Sequence, residues 1–168
     1  MVKRNWNRQI LLIDDSETIR EVISQQIQRA FPSFSVRTAE DGQSGLDLAR
    51  MLQPDIILLD LLMPHLDGYA VLEQLKTDPA TRLIPTAILT GQGDDHVKAD
   101  VFQLGALAYI SKPVDPMALK ASLSSLMQIR ENYEDLQEKL AEFRRFVSRL
   151  VGRLEKLLNP GTVKRLMI

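Results

Sequence analysis

Five polar residues stand at the ends of short apolar runs, and their side chains are of the types that handle a charged oxygen centre. Asp14 and Asp15 close Gln9-Ile-Leu-Leu-Ile, Asp60 closes Ile56-Ile-Leu-Leu, Thr90 closes Ala87-Ile-Leu, and Lys112 follows Ala108-Tyr-Ile-Ser. A lone Asp after a strand ordinarily serves as a cap or turn residue, so the chemistry depends on whether several of these groups converge. If they do, three carboxylates repel one another and a divalent cation relieves the repulsion. Mg2+ suits such a set: it is a hard ion that takes one or two carboxylates, several waters and a phosphate oxygen. With no cysteine and only two scattered histidines, His65 and His96, the residues argue against zinc. A carboxylate beside such an ion can act as a nucleophile and form an acyl phosphate. The metal and Lys112 would then neutralise charge on a transferring phosphoryl group, and the Thr90 hydroxyl would donate to one of its oxygens.

Whether the five residues meet depends on the elements that carry them. Strand patterns fall at 9–14, 34–38, 55–60, 85–90 and 108–111. Between them, Ser16 caps a helix running to about Ala30, with Ile19, Val22, Ile23 and Ile27 on one face, and further helices are expected near 42–53, 68–77 and 94–104. Gly105 follows the last of these, where a helix end favours glycine. Strands alternating with helices imply an α/β fold with a parallel sheet covered on both faces. The flavodoxin-like order 2-1-3-4-5 is expected, with its switch point between strands 1 and 3 and its ligand crevice beyond the carboxyl ends of the strands. That order brings strands 1, 3, 4 and 5 to one edge carrying the three carboxylates, the hydroxyl and the ammonium.

From Asp115-Pro116 onward the pattern changes. No proline intervenes before Pro160, and a seven-residue repeat runs through Leu126, Tyr133, Leu140, Val147 and Leu154, with Ile129, Leu136, Phe143, Leu150 and Leu157 three residues after each. These are coiled-coil a and d positions. Arg130, Lys139, Arg144 and Arg153, beside Glu131, Glu138 and Glu142, form a solvated flank. A helix of about 40 residues would extend roughly 60 Å. That is far beyond one small domain, so self-association is favoured over folding back. The expected organisation is a domain at 9–125, a coiled-coil helix at 126–158 continuous with the domain's last helix, and a tail or the start of a further segment at 159–168.

Composition narrows the function classes. The 168 residues are 45% hydrophobic and 26% charged, with a net charge of −1, which gives no general case for nucleic acid or an anionic membrane. Residues 1–114 hold 11 Lys/Arg against 15 Asp/Glu, and residues 115–168 hold 10 against 7, so an acidic body carries a mildly basic tail. No disulfide can form, and no apolar run suits a signal peptide or a membrane span, which makes the cytoplasm the default location.

Asp14-Asp15, Asp60 in the frame Asp-Leu-Leu-Met-Pro-His-Leu-Asp-Gly, Thr90-Gly91 and Tyr109-Ile-Ser-Lys112-Pro113 occur in order over residues 9–125. Together they resemble the receiver domain of two-component response regulators. The resemblance implies that Asp60 accepts a phosphoryl group from a sensor histidine kinase or phosphotransfer protein. It implies that Asp15, Asp60 and the Leu62 carbonyl hold Mg2+, with Asp14 assisting through water. Lys112 would pair with the phosphoryl group on a peptide to Pro113 that is often cis in this family, and Thr90 and Tyr109 would form the switch. The output would be a dimeric helix through residues 126–158, with any catalytic effector domain outside this chain. Two other readings stay open. One is a coiled-coil scaffold or adaptor that has lost signalling. The other is an Asp-nucleophile phosphatase of the haloacid-dehalogenase type, from which the chain departs by having Leu rather than Asp at position 62. Four smaller features carry little: His65 reads as a loop residue, His96 as an exposed helix start, Trp6 as packed on a sheet edge or free, and Leu62 with Gln92 as residues that tune water access.

Overall fold

The structure, a computed structural model, describes residues 8–91 and 95–158. Five strands alternate with five helices: β1 (Gln9–Ile13), α1 (Glu17–Ala30), β2 (Ser35–Ala39), α2 (Gly42–Leu52), β3 (Ile56–Asp60), α3 (Gly68–Thr77), β4 (Thr86–Thr90), α4 (Asp95–Gln103), β5 (Ala108–Ser111) and α5 (Pro116–Leu158). All neighbouring strands are parallel and the order is β2-β1-β3-β4-β5, as the alternation predicts.

Strand register explains the continuous apolar runs. Because side chains alternate across a sheet, Leu11, Ile13, Ile57 and Leu59 enter one core while Ile10, Leu12, Ile56 and Leu58 enter the other. The first core is closed by Leu46 and Ala49 of α2, Val71, Leu72 and Leu75 of α3, and Val101 of α4. The second is closed by Ile23 and Ile27 of α1 and by Leu119, Leu123, Leu126 and Met127 of α5. Each such side chain contributes about 1.5–3 kcal/mol when fully buried. The centre of the sheet is therefore its most strongly held part, and it is these strands that carry the polar ends. The outer strands differ: β2 leaves Arg37 and Thr38 exposed, and β5 is four residues long and leaves Ser111 exposed.

Helix starts follow capping chemistry. Ser16 accepts from the Ile19 N–H, Asp41 from Ser44 and Asp67 from Ala70. Gly105, at φ +98°, follows α4 in the left-handed conformation that favours glycine.

The chain divides into two compact units, Met1–Arg130 and Glu131–Ile168, although α5 runs unbroken through the boundary. In the first unit, Leu126 is buried in the core beneath the sheet and Ile129 is partly covered. The first position of the heptad series, Leu126, thus serves the domain itself. In the second unit Tyr133, Leu136, Leu140, Phe143, Val147, Leu150 and Leu154 are all exposed. No helix among the described residues is long and apolar enough to cross a membrane. Trp6, Gln92 and the segment 159–168 lie outside the described residues, as does the side chain of Leu157.

Candidate functional site

The carboxyl ends of β1, β3, β4 and β5 meet at the edge where β1 and β3 lie side by side. Asp14 follows β1 directly and is fully buried, Asp60 is the last residue of β3 and 4% exposed, and Asp15 is exposed. One carboxylate oxygen from each of the three lies within 4.8 Å of the others. Lys112, just past β5, reaches into this group. Its Nζ stands 2.7 Å from Asp14 Oδ2 and 2.8 Å from Asp60 Oδ2, an ion-paired bridge between residues 98 and 52 positions away. The Lys112 N–H also donates to the Thr90 carbonyl at 2.8 Å, which ties the ends of β4 and β5 together. The Lys112–Pro113 peptide is cis.

Asp14 is held on several sides. Its Oδ1 accepts from the Ser16 N–H at 2.9 Å, and its carbonyl accepts from Arg20 Nη1 at 2.7 Å. Ser16 and Arg20 therefore belong to the site's framework. The sequence marked Ser16 only as a helix cap and gave no sign of Arg20, whose part depends on the turn that α1 makes over β1.

Asp60 is positioned from the other side. The Gly68 N–H donates to the Leu61 carbonyl at 2.9 Å, so the start of α3 sits against the end of β3. A Cβ at position 68 would overlap the Asp60 carbonyl and the Leu61 Cα, which is why glycine opens this helix. The Leu62 N–H approaches Asp60 Oδ1 at 3.4 Å, while the Leu62 side chain faces solvent. His65 is an exposed loop residue at φ +66°, and His96 is exposed near the start of α4.

The electrostatics follow from burial and pairing. Desolvation raises the Asp60 pKa above the usual carboxylate range, the Lys112 hydrogen bond and charge oppose that, and the charge of Asp14 adds to it. Burial alone would depress the Lys112 ammonium, but its hydrogen bonds to Asp14 and Asp60 and their charges outweigh burial and raise its pKa. The result is one cation shared by two buried acids, with a third acid in solvent beside them. An all-oxygen donor set of this kind fits a hard divalent ion and offers nothing to a soft one.

Thr90 is buried at the end of β4, opposite Ser111 in the register. Tyr109 pairs with Ile88 across β4 and β5, is half-buried against the first core, and has the Lys98 ammonium 5.5 Å from its ring centre. The structure thus brings Asp14, Asp15, Asp60 and Lys112 together, puts Thr90 on the neighbouring strand end, and sets Tyr109 three residues before Lys112.

A doubly covered parallel sheet whose switch point carries this acid group defines a receiver domain. The chain belongs to the response regulator receiver domain family, which matches residues 10–124. It is 35% identical over 139 residues to the response regulator PleD of Caulobacter vibrioides, a match covering 81% of this chain and 30% of that protein. It is 38% identical over 119 residues to the DNA-binding dual master transcriptional regulator RpaA of Synechocystis, covering 71% of this chain and 48% of that protein. Among solved structures, the Vibrio cholerae chemotaxis protein CheY4 superposes with a TM-score of 0.66 at 28% identity, covering 71% of this chain and 98% of that one. The chain spans less than half the length of PleD and RpaA. Receiver domains bind Mg2+ at an acidic pocket, and Asp14, Asp15 and Asp60 form such a group here.

Proposed function

We propose that this chain is the receiver of a two-component phosphorelay and that Asp60 accepts the phosphoryl group from a sensor histidine kinase or a phosphotransfer protein. The observation that carries this reading is the convergence of three carboxylates within 4.8 Å around a strand-end Asp that Lys112 contacts directly. An Asp60 oxygen attacks the phosphorus of a phosphohistidine. The P–N bond breaks, the imidazole leaves with its electron pair, and an acyl phosphate forms on Asp60. Water later hydrolyses that acyl phosphate and regenerates the carboxylate.

In this reading Asp15, Asp60 and the Leu62 carbonyl would hold Mg2+, with Asp14 acting through water. The ion would supply charge neutralisation at the phosphoryl oxygens. Lys112 keeps its place between Asp14 and position 60 and pairs with the new phosphoryl group. The Thr90 hydroxyl donates to one of its oxygens, and the Tyr109 ring turns inward behind it. The added charge near −2 with three acceptor oxygens biases a two-state element, here α4, β5 and the root of α5.

Output passes along α5. The helix over residues 126–158 carries a homodimeric coiled coil, whose seam begins beyond Leu126 because that side chain is taken up by the domain core. Effector domains of the kind that lengthen the relatives would lie outside this segment. No nucleic-acid contact or catalytic turnover of a separate substrate is assigned to residues 8–158, and the exchange with a kinase takes place in the cytoplasm. Incubation with acetyl phosphate and Mg2+ should add one phosphoryl group to the wild-type chain and none to Asp60→Ala. Equal labelling of both, read by intact mass, would overturn the assignment.

A further inference from the structure

The second unit carries its charge in two blocks. Residues 131–138 contain Glu131, Glu134, Asp135 and Glu138 and no base. Residues 139–156 contain Lys139, Arg144, Arg145, Arg149, Arg153 and Lys156 against Glu142 and Glu155. The apolar a and d side chains of the same stretch are uncovered, from Val147 at 39% exposed to Phe143 at 62%. An unpartnered seam of this kind needs an occupant, and its charge blocks discriminate between orientations.

We propose that the seam is closed by a second copy of this chain running antiparallel. The proposal rests on the reading of the heptads as a self-associating helix and adds its direction. A parallel, in-register pair sets acid block on acid block and base block on base block. It also places Lys139, at a g position, against Arg144 at the e position of the other copy, although it gains a Phe146–Val151 contact. An antiparallel pair can be registered so that Tyr133 lies opposite Leu150 of the second copy, Leu136 opposite Val147 and Leu140 opposite Phe143. Every a position between 133 and 150 then meets a d position, and the two-fold axis repeats the three layers. In that register the acidic block of each helix lies alongside the basic block of the other. Flanking positions meet like with like, g with g and e with e, so Lys139 lies beside Phe146 and Gln137 beside Arg144, and neither meets a like charge. The Lys139 ammonium pairs with Asp135 of its own helix at 2.7 Å, and its stem can lie on the Phe146 ring of the second copy while that pair stands.

The chain has no cysteine, so single introduced thiols report the pairing without background. In the full chain, Tyr133→Cys mixed with Leu150→Cys under oxidising conditions should give the mixed disulfide, while each variant alone stays uncross-linked. In the antiparallel register, two copies of position 133 are about 25 Å apart along the axis. Efficient self-cross-linking of each variant, with no preference for the mixture, would show a parallel pair and overturn the proposal. Since these substitutions lie in the seam, a second pair of variants outside it gives an independent measure. Glu134→Lys/Glu138→Lys, which leaves the Asp135–Lys139 pair at 2.7 Å in place, should weaken self-association in sedimentation, and mixing it with Arg145→Glu/Arg149→Glu should restore association. Unchanged association of the first variant would also overturn it. Raising salt from about 0.1 M to about 1 M should loosen the wild-type dimer, on the order of tenfold, because screening removes the attraction between blocks, whereas a parallel pair would tighten. A wild-type chain that sediments as a monomer at every concentration would remove the self-association reading itself, and this orientation with it. A stable dimer with parallel cross-links would remove the orientation alone.

Discussion

Asp60 is buried next to a second buried acid, and one ammonium serves both. Its pKa lies above the ordinary value because desolvation disfavours the charged form. An unfolded Asp titrates near 3.9. Above that pH the unfolded chain has released its proton while the folded chain still holds part of one, so this residue's contribution to stability falls as pH rises through the window to the folded pKa. Asp60→Asn keeps the shape and removes the charge. In metal-free protein it should raise the thermal unfolding midpoint at pH 7, with the gain shrinking towards pH 4, as differential scanning calorimetry can follow. A midpoint unchanged at both pH values would show that Lys112 fully compensates the burial. At this scale the sequence was legible because an acid, hydroxyl or ammonium closes four of the apolar runs, and the strand order implied by the alternation brings those ends together; one such residue alone would read as a cap or turn. Contacts closed by the fold were not legible: Lys112 on Asp14, Arg20 on the Asp14 carbonyl, and the Arg8–Asp55 pair at 3.1 Å near the opposite end of the sheet. Asp55 also accepts from the Gln9 N–H at 2.8 Å and lies 3.8 Å from Arg130 Nε. Residues so far apart in the chain meet only once β1, β3 and α5 have taken their places.

Helices and strands transmit these positions through their packing. Gly68→Ala should displace the start of α3 from the Asp60 carbonyl and destabilise the fold by about 1–3 kcal/mol, the usual range for overpacking. Urea unfolding measures the stability, and slower labelling by acetyl phosphate would report the shifted Asp60. Near the end of the same helix, Lys76 donates from Nζ to the Ile84 carbonyl at 2.7 Å, and burial lowers its pKa to about 8. An unfolded lysine titrates near 10.4, so between about pH 8 and that value the unfolded chain binds more protons and stability should rise with pH. The rise should be about 3 kcal/mol by the linkage relation, and Lys76→Met should abolish it. The Ile84 carbonyl would still accept from the Thr86 hydroxyl at 3.1 Å. Strand limits were legible to within a residue or so, since β-period and continuous apolar runs have sharp ends in a doubly covered sheet; β5 fell at 108–111 as expected. The heptad series was legible as a pattern, but not in its allocation. An apolar a position looks the same whether it faces a partner or its own domain, and Leu126 faces its own.

As a whole, the molecule separates a packed receiver unit ending at Arg130 from a helical unit with a bare apolar seam. A chain ending at Arg130 keeps every residue of the acid site and both cores. It should unfold cooperatively and label on Asp60 as the longer chain does, while losing concentration-dependent association in sedimentation. Loss of labelling on truncation would mean that residues beyond 130 support the site. The two edges of the sheet bear on the same separation. Strands at an edge present unpaired backbone groups, and short or charged edges resist adding a further strand. Here one edge exposes Arg37 and Thr38, and the other is only four residues long. Concentrated protein is thereby steered away from strand-on-strand aggregation, which leaves the bare helical seam, not the sheet, as the surface that crowding would act on.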